Sequence, residues 1–305
     1  MISQFKSLPV MFQASLMMLV AMFMFTSMGI CIRLSAAFMP VIEVVFLRNI
    51  LAVLLLVPLL IRQGASSINM NRPKLFFGRA VVNFIGMICG FTAVTLIPLS
   101  TMTALSFTGP IFVTVGAALF LGEVIRTRRI IAIAVGFVGT LIILRPGLVE
   151  ISLGTMLALA SAVAIAAAIL LVKKMTESEK DSAIVFWMVM LQTPLALVPA
   201  LFVWVWPAAE AWIYLWAMAL CGTIGHLLFT RALALVEVTS LQPLEFSKLP
   251  FAVLLAWIVF SEWPDIWIWV GGSVIFASTA YITRREAQIR QSSAPQTKAD
   301  VGTPL

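Results

Sequence analysis

Reactive and ionisable side chains are scarce in this chain. One histidine, three cysteines and 13 acidic residues are spread over 305 positions. No His-Glu-x-x-His and no Cys/His cluster occurs, so no metal site has a ligand set, and Cys31, Cys89 and Cys221 are too dispersed for a disulfide framework. A serine nucleophile partnered with the lone His226 would make an intramembrane hydrolase, but the chain has no Gly-x-Ser-x-Gly turn. It also has no Walker lysine motif, which excludes direct drive by ATP. No enzymatic function, cofactor or metal is expected. Polar surface is missing too: 62% of residues are hydrophobic, 11% are charged, and the mean hydropathy is +1.08. Such a chain cannot cover a globule in water, so lipid must be its solvent. The net charge of +7 does not imply nucleic acid, because Lys and Arg sit in short clusters between apolar runs and form no patch.

Apolar runs are what the chain has in abundance. A bilayer core of about 30 Å takes roughly 20 apolar residues per helix. Cutting at charged and Pro/Gly positions leaves ten candidates: Met11–Ile32, Val41–Ile61, Leu75–Ile97, Thr101–Leu121, Ile130–Leu144, Ser152–Val172, Ser182–Val205, Ala211–Leu235, Ser240–Phe260 and Ile266–Thr283. The first follows Lys6 and is too long for a signal-peptide apolar region, so it reads as a retained span; Ser35-Ala36-Ala37 is the one processing-like signal. Basic residues set the orientation. With the N-terminus in the cytoplasm, 15 of the 20 Lys and Arg lie on that side, among them Arg62, Arg72, Lys74, Arg126, Lys173, Lys174 and Arg284. Trp187, Trp204, Trp206, Trp212, Trp263, Trp267 and Trp269 fall mostly near span ends and suit an interfacial belt.

Part of the middle recurs in the last third, about 140 positions later. Leu99-Ser100-Thr101, Thr108-Gly109-Pro110-Ile111 and Phe120-Leu121-Gly122-Glu123 answer to Val238-Thr239-Ser240, Lys248-Leu249-Pro250-Phe251 and Phe260-Ser261-Glu262. Each copy is an apolar helix with an internal proline and a closing acid. Five spans per copy is an odd number, so the second copy is inverted across the membrane, and inverted repeats enclose a site near the midplane. The expected fold is an all-α integral membrane protein of ten transmembrane helices in two inverted five-helix repeats. The first repeat covers 1–146 and the second 147–285, joined at Arg145-Pro146-Gly147. A polar tail, 286–305, is expected to be disordered in the cytoplasm.

The chain resembles the drug/metabolite transporter superfamily, in its ten-span branch with two EamA-type domains. The resemblance rests on Arg48-Asn49, on Leu105-Ser106-Phe107-Thr108-Gly109-Pro110 leading to Phe120-Leu121-Gly122-Glu123, and on Ile130 to Pro146-Gly147 with Gly136 and Gly139 between. The second repeat departs from the pattern at Glu245, Lys248 and Phe260-Ser261-Glu262. The resemblance implies a secondary transporter of small organic metabolites in a bacterial-type inner membrane, with a central cavity lined by the first, third, fourth, sixth, eighth and ninth spans. The first repeat is most similar to the branch labelled as S-adenosylmethionine uptake carriers. A channel or scaffold is the alternative class.

Ionisable groups within the spans are the candidate ligand contacts, since each costs at least about 2.5–3.5 kcal/mol at mid-membrane unless paired or hydrated. Glu245 and Lys248 lie three apart on one face of the ninth span. Pro243 and Pro250 flank them, and each removes a backbone donor. The pair either lines the substrate cavity or ties the helix to a neighbour; an acid and a base together suit an amino acid or amino-acid-like cargo. His226 fits two roles, proton coupling or packing. Arg231 either pairs with Glu245 or reaches toward the cytoplasm. Arg48 either attracts an anionic group or caps a helix end. Asn83 faces a ligand or a partner helix, with Gly86 and Gly90 in close-packing spacing above it. Thr108, with Thr101 on the same face, and the break at Gly109-Pro110 complete the set; paired breaks in corresponding positions point to a site. Oligomeric state is not legible.

Overall fold

The computed structural model describes residues 8–64, 68–96, 105–106, 108–123, 127–144 and 152–260, and between 266 and 281 the residues 266–267, 269–274, 277–278 and 281. The expected positions Thr101, Arg145-Pro146-Gly147, Glu262, Trp263 and the tail 286–305 lie outside these. The described elements are helical: α1 (Val10–Ser35), α2 (Val41–Gln63), α3 (Pro73–Leu96), α4 (Gly109–Leu121), α5 (Thr127–Leu144), α6 (Leu153–Met175), α7 (Asp181–Leu201), α8 (Ala211–Leu235), α9 (Val238–Glu245) and α10 (Lys248–Phe260). Five are long and apolar enough to cross a membrane by themselves, namely α1, α2, α6, α7 and α8, and shorter apolar helices accompany them. Large apolar side chains face outward along them: Ile61, Leu119, Phe120 and Phe202 are all more than 70% exposed. In water this would drive aggregation, whereas against lipid tails it is neutral.

Helix packing comes in exchanged pairs. α1 lies along α8 and α3 along α6; α2 meets α7 directly, and α2–α8 is answered by α3–α7. Swapping the first three spans with the sixth, seventh and eighth maps each of these contacts onto another. Glycines show the register. A Cβ on Gly86 of α3 would lie 3.1 Å from Ala164 of α6, and one on Gly225 of α8 would lie 2.8 Å from Phe25 of α1. Both pairs are related by one offset of 139 residues (86 to 225, 25 to 164). Small residues let the backbones approach at the two equivalent crossings, and Ser161 Oγ donates to Gly86 O at 2.6 Å across the first.

The same offset corrects the pairing based on prolines. Thr108 Oγ1 donates to Leu105 O at 2.6 Å just before α4 begins, and Ser247 Oγ donates to Leu244 O at 2.6 Å just before α10 begins. Leu105-Ser106-Phe107-Thr108-Gly109 therefore matches Leu244-Glu245-Phe246-Ser247-Lys248, and the two prolines are one position out of step. The ninth span is not one continuous helix, as its apolar run suggested. It breaks at Phe246-Ser247 into α9 and α10. Pro250 does not cause the break: it stands in the first turn of α10, where its missing N–H has no duty, and Leu249 N already donates to Phe246 O at 3.1 Å. The Phe246 ring fills the space over Gly136 of α5, where an added Cβ would come within 2.6 Å of it.

At the end of the bundle that carries the basic loops, the halves are tied by polar contacts. Gly122 adopts φ 66° and ends α4, which turns the Glu123 carboxylate onto the start of α9. There it accepts from Val238 N at 2.8 Å, Thr239 N at 3.0 Å and Thr239 Oγ1 at 2.8 Å. This is an N-terminal cap supplied by the other repeat. Glu179 joins the halves again by accepting from Arg72 N and Asn71 Nδ2, and within the second repeat Lys173 Nζ donates to Leu233 O and Val236 O at the end of α8. Beneath these ties lies an apolar cluster that includes Met11, Met18, Val113, Leu233, Leu241 and Leu244.

Candidate functional site

Above that cluster is a cavity of about 360 Å³, within the ~300–1,000 Å³ range of small-molecule sites. Its wall comes from α1, α2, α3, α6, α8 and the α9–α10 break. Among the described residues the second span contributes Arg48 and Val45 to the wall, which the expected lining did not include, while Thr108 and Pro110 of the fourth do not reach it. Thr108 stands just before α4 with its hydroxyl bonded back to Leu105 O, and Pro110 is buried in the first turn of that helix. Pro243 and Pro250 also lie off the wall.

The break positions the two charges by ending one helix and starting another. Glu245 is the last residue of α9 and Lys248 the first of α10, and Lys248 Nζ donates to Glu245 Oε2 at 3.1 Å. Glu245 is buried, with Oε1 unpartnered, and the Lys248 side chain keeps 39% of its surface open. The arrangement opposes both helix dipoles, since a carboxylate sits at a C-terminus and an ammonium at an N-terminus. Helix capping therefore does not account for the pair, and mutual attraction across the break offsets the cost.

Arg48 and Arg79 approach the cavity from α2 and α3 and are 7% and 4% exposed. Arg48 Nη1 donates to Asn49 Oδ1 at 2.9 Å, and Nη2 lies 3.7 Å from Met28 Sδ. Arg79 donates from Nη1 to Ile184 O at 3.3 Å and from Nη2 to Met188 Sδ at 3.2 Å. In both, Nε has no partner. Arg48 lies flat on the backbone of α8 because Gly222 has no side chain; a Cβ there would be 2.8 Å from Nη2. The helix-end carbonyls anticipated as its partners do not accept from it. Asn83, His226 and Phe25 are also on the wall, with the His226 ring 4.8 Å from that of Phe25. Arg231 is elsewhere: it reaches neither Glu245 nor the cavity and pairs with Asp181 at 3.1 Å, half exposed. Sequence reasoning passed over Arg79 as a site residue, although an arginine one turn before Asn83 in an apolar run was the available signal. Among the described residues no group of His, Cys, Asp and Glu could hold a metal.

Two stretches, residues 13–145 and 152–284, match the model of the EamA-like transporter family. The chain belongs to that family. It is thus a multi-pass membrane transporter of small metabolites within the drug/metabolite transporter superfamily, and not an enzyme. It is 28% identical over 254 residues to the riboflavin transporter of Brucella anthropi, covering 81% of this chain and 89% of that protein. It is 24% identical over 250 residues to the S-adenosylmethionine uptake transporter of Rickettsia prowazekii, covering 82% and 85%. A solved crystal structure superposes with a TM-score of 0.77 at 16% identity, covering 91% of this chain and 98% of that one, which supports the fold alone.

Proposed function

We propose that the protein is a secondary transporter carrying a small organic metabolite across the bacterial inner membrane by alternating access, with two inverted five-helix repeats rocking about the cavity and both termini in the cytoplasm. The observation that carries this reading is the Glu245–Lys248 pair, held against both helix dipoles at a helix break and facing a cavity. A purely structural tie would satisfy both carboxylate oxygens, yet Glu245 Oε1 is left open. Glu245, Lys248, Asn83, His226 and Arg48 are the proposed cargo contacts, and Thr108 and Arg231 act away from the wall. In this reading the apolar cluster, which shares Val172 and Phe229 with the wall, bars one route, as a carrier requires and an open channel does not. Cargo candidates are an amino acid or amino-acid-like metabolite, S-adenosylmethionine included, and riboflavin by likeness to the relatives. His226 is the proposed proton-coupling residue.

The test is a thermal-shift screen of the purified chain against a metabolite library, followed by counterflow in proteoliposomes with each stabilising compound. A ligand that binds only the folded state raises the melting temperature. Saturable exchange abolished by Glu245→Gln supports the reading; non-saturable flux would make the protein a channel.

A further inference from the structure

The cavity wall has more cations than acids, and that imbalance bears on the cargo. Among the described residues Arg48, Arg79 and Lys248 face it against the one carboxylate of Glu245, which Lys248 already engages. We infer that the cargo bears an oxyanion, a carboxylate or a phosphate, and is net negative, with Arg48 and Arg79 as its binding residues. The inference rests on the reading of this cavity as the substrate site.

Both guanidiniums stay charged in proteins and present planar forks of donors that match an oxyanion. Both are buried, and their partners are an amide oxygen, a carbonyl and two thioethers, none of which carries charge. Each has an orphan Nε. Glu43, the buried acid of α2, accepts from Val205 N at 3.0 Å and makes no ion pair with Arg48. Two cations in a lipid-embedded wall without an acid of their own leave a negative partner to be supplied from outside the chain.

Packing does not require either arginine. Under the 139-residue offset Arg79 corresponds to Met218 and Arg48 to Trp187, so the fold holds the equivalent places with uncharged side chains. Gly222, in contrast, is small where Arg48 needs room to lie along α8. Of the cargo candidates above, this inference therefore disfavours S-adenosylmethionine, whose sulfonium meets repulsion from the wall, and favours acidic ones.

The experiment uses the full chain in phosphatidylcholine nanodiscs and probes that differ in charge: riboflavin against riboflavin 5′-phosphate, adenosine against adenosine 5′-monophosphate, glutamine against glutamate, and S-adenosylmethionine. We expect the anionic member of at least one pair to bind about tenfold or more tightly than its neutral twin. Arg48→Gln or Arg79→Gln should remove that preference, and Arg48→Lys should retain part of it. Equal or tighter binding of neutral or cationic probes, with saturable counterflow, overturns the charge inference and leaves transport standing. Binding and counterflow of none of the probes tells against the transport reading itself. A further arm adds phosphatidylglycerol: if that lipid stabilises the wild type and not Arg48→Gln, and no anionic metabolite does, the arginines hold a headgroup and the cargo inference falls.

Discussion

Helices α3 and α8, equivalent in the two halves of this transporter, share three cavity positions and fill them with different chemistry. From α3 come Arg79, Met87 and Gly90, and 139 residues on α8 supplies Met218, His226 and Phe229, while Asn83 on the wall answers to Gly222, which is off it. The breaks compare in the same way. Each has a hydroxyl bonded to a carbonyl three residues back at 2.6 Å, yet Ser106 and Gly109 flank one where Glu245 and Lys248 flank the other. Backbone geometry repeats because small residues and hydroxyls at matched positions dictate it. Charge does not repeat, and a cavity with one carboxylate, one ammonium and two guanidiniums among its described contacts recognises an asymmetric molecule better than a symmetric wall would.

That contrast can be broken most directly at the second break. Glu245→Gln should cut counterflow by at least about tenfold through loss of a charge-assisted contact, with an unchanged gel-filtration profile, while Ser106→Ala at the matching place stays within about twofold. Equal losses at both sites would make the breaks functionally equivalent. Next in size is Glu123, which caps α9 across the repeats. Glu123→Gln should lower stability by about 1–3 kcal/mol, read as a lower melting temperature, and should speed thiol labelling of a Leu241→Cys reporter, buried at 0% exposure in the wild type. The glycine crossings sharpen the symmetry. Gly225→Ala meets Phe25 at 2.8 Å and Gly86→Ala meets Ala164 at 3.1 Å, so thermal melts should show the larger loss at Gly225, within the roughly 1–3 kcal/mol of overpacking. The smallest effect belongs to the half-exposed pair of Arg231 with Asp181. Asp181→Asn should cost under about 1 kcal/mol and leave transport intact.

Much of the site was legible in order of appearance and less so in arrangement. Glu245 and Lys248 stood out because charge in an apolar run is costly, and both reached the cavity. Asn83, His226 and Arg48 followed the same logic. Of the two readings of Arg231, pairing with Glu245 fails because a run of residues does not reveal which acid on another helix comes near, and Asp181 is 50 positions away. The prolines misled because their effect depends on where a helix begins: Pro250 inside a turn would kink it, while Pro250 in the first turn of α10 costs nothing. Gly222 was invisible as a site residue, since its part is the space it leaves for a side chain 174 positions earlier.

Apolar run length, scarce charge and a near-duplicate segment were enough, from the order of residues alone, to place this chain in lipid as a repeat protein with buried ionisable groups, because each of these is a local or additive property. Tertiary structure decided which of those groups share a cavity, which are satisfied and which are left with open valence. Those outcomes depend on distances between helices far apart in the chain, set by the packing of glycines, aromatics and caps across the two halves.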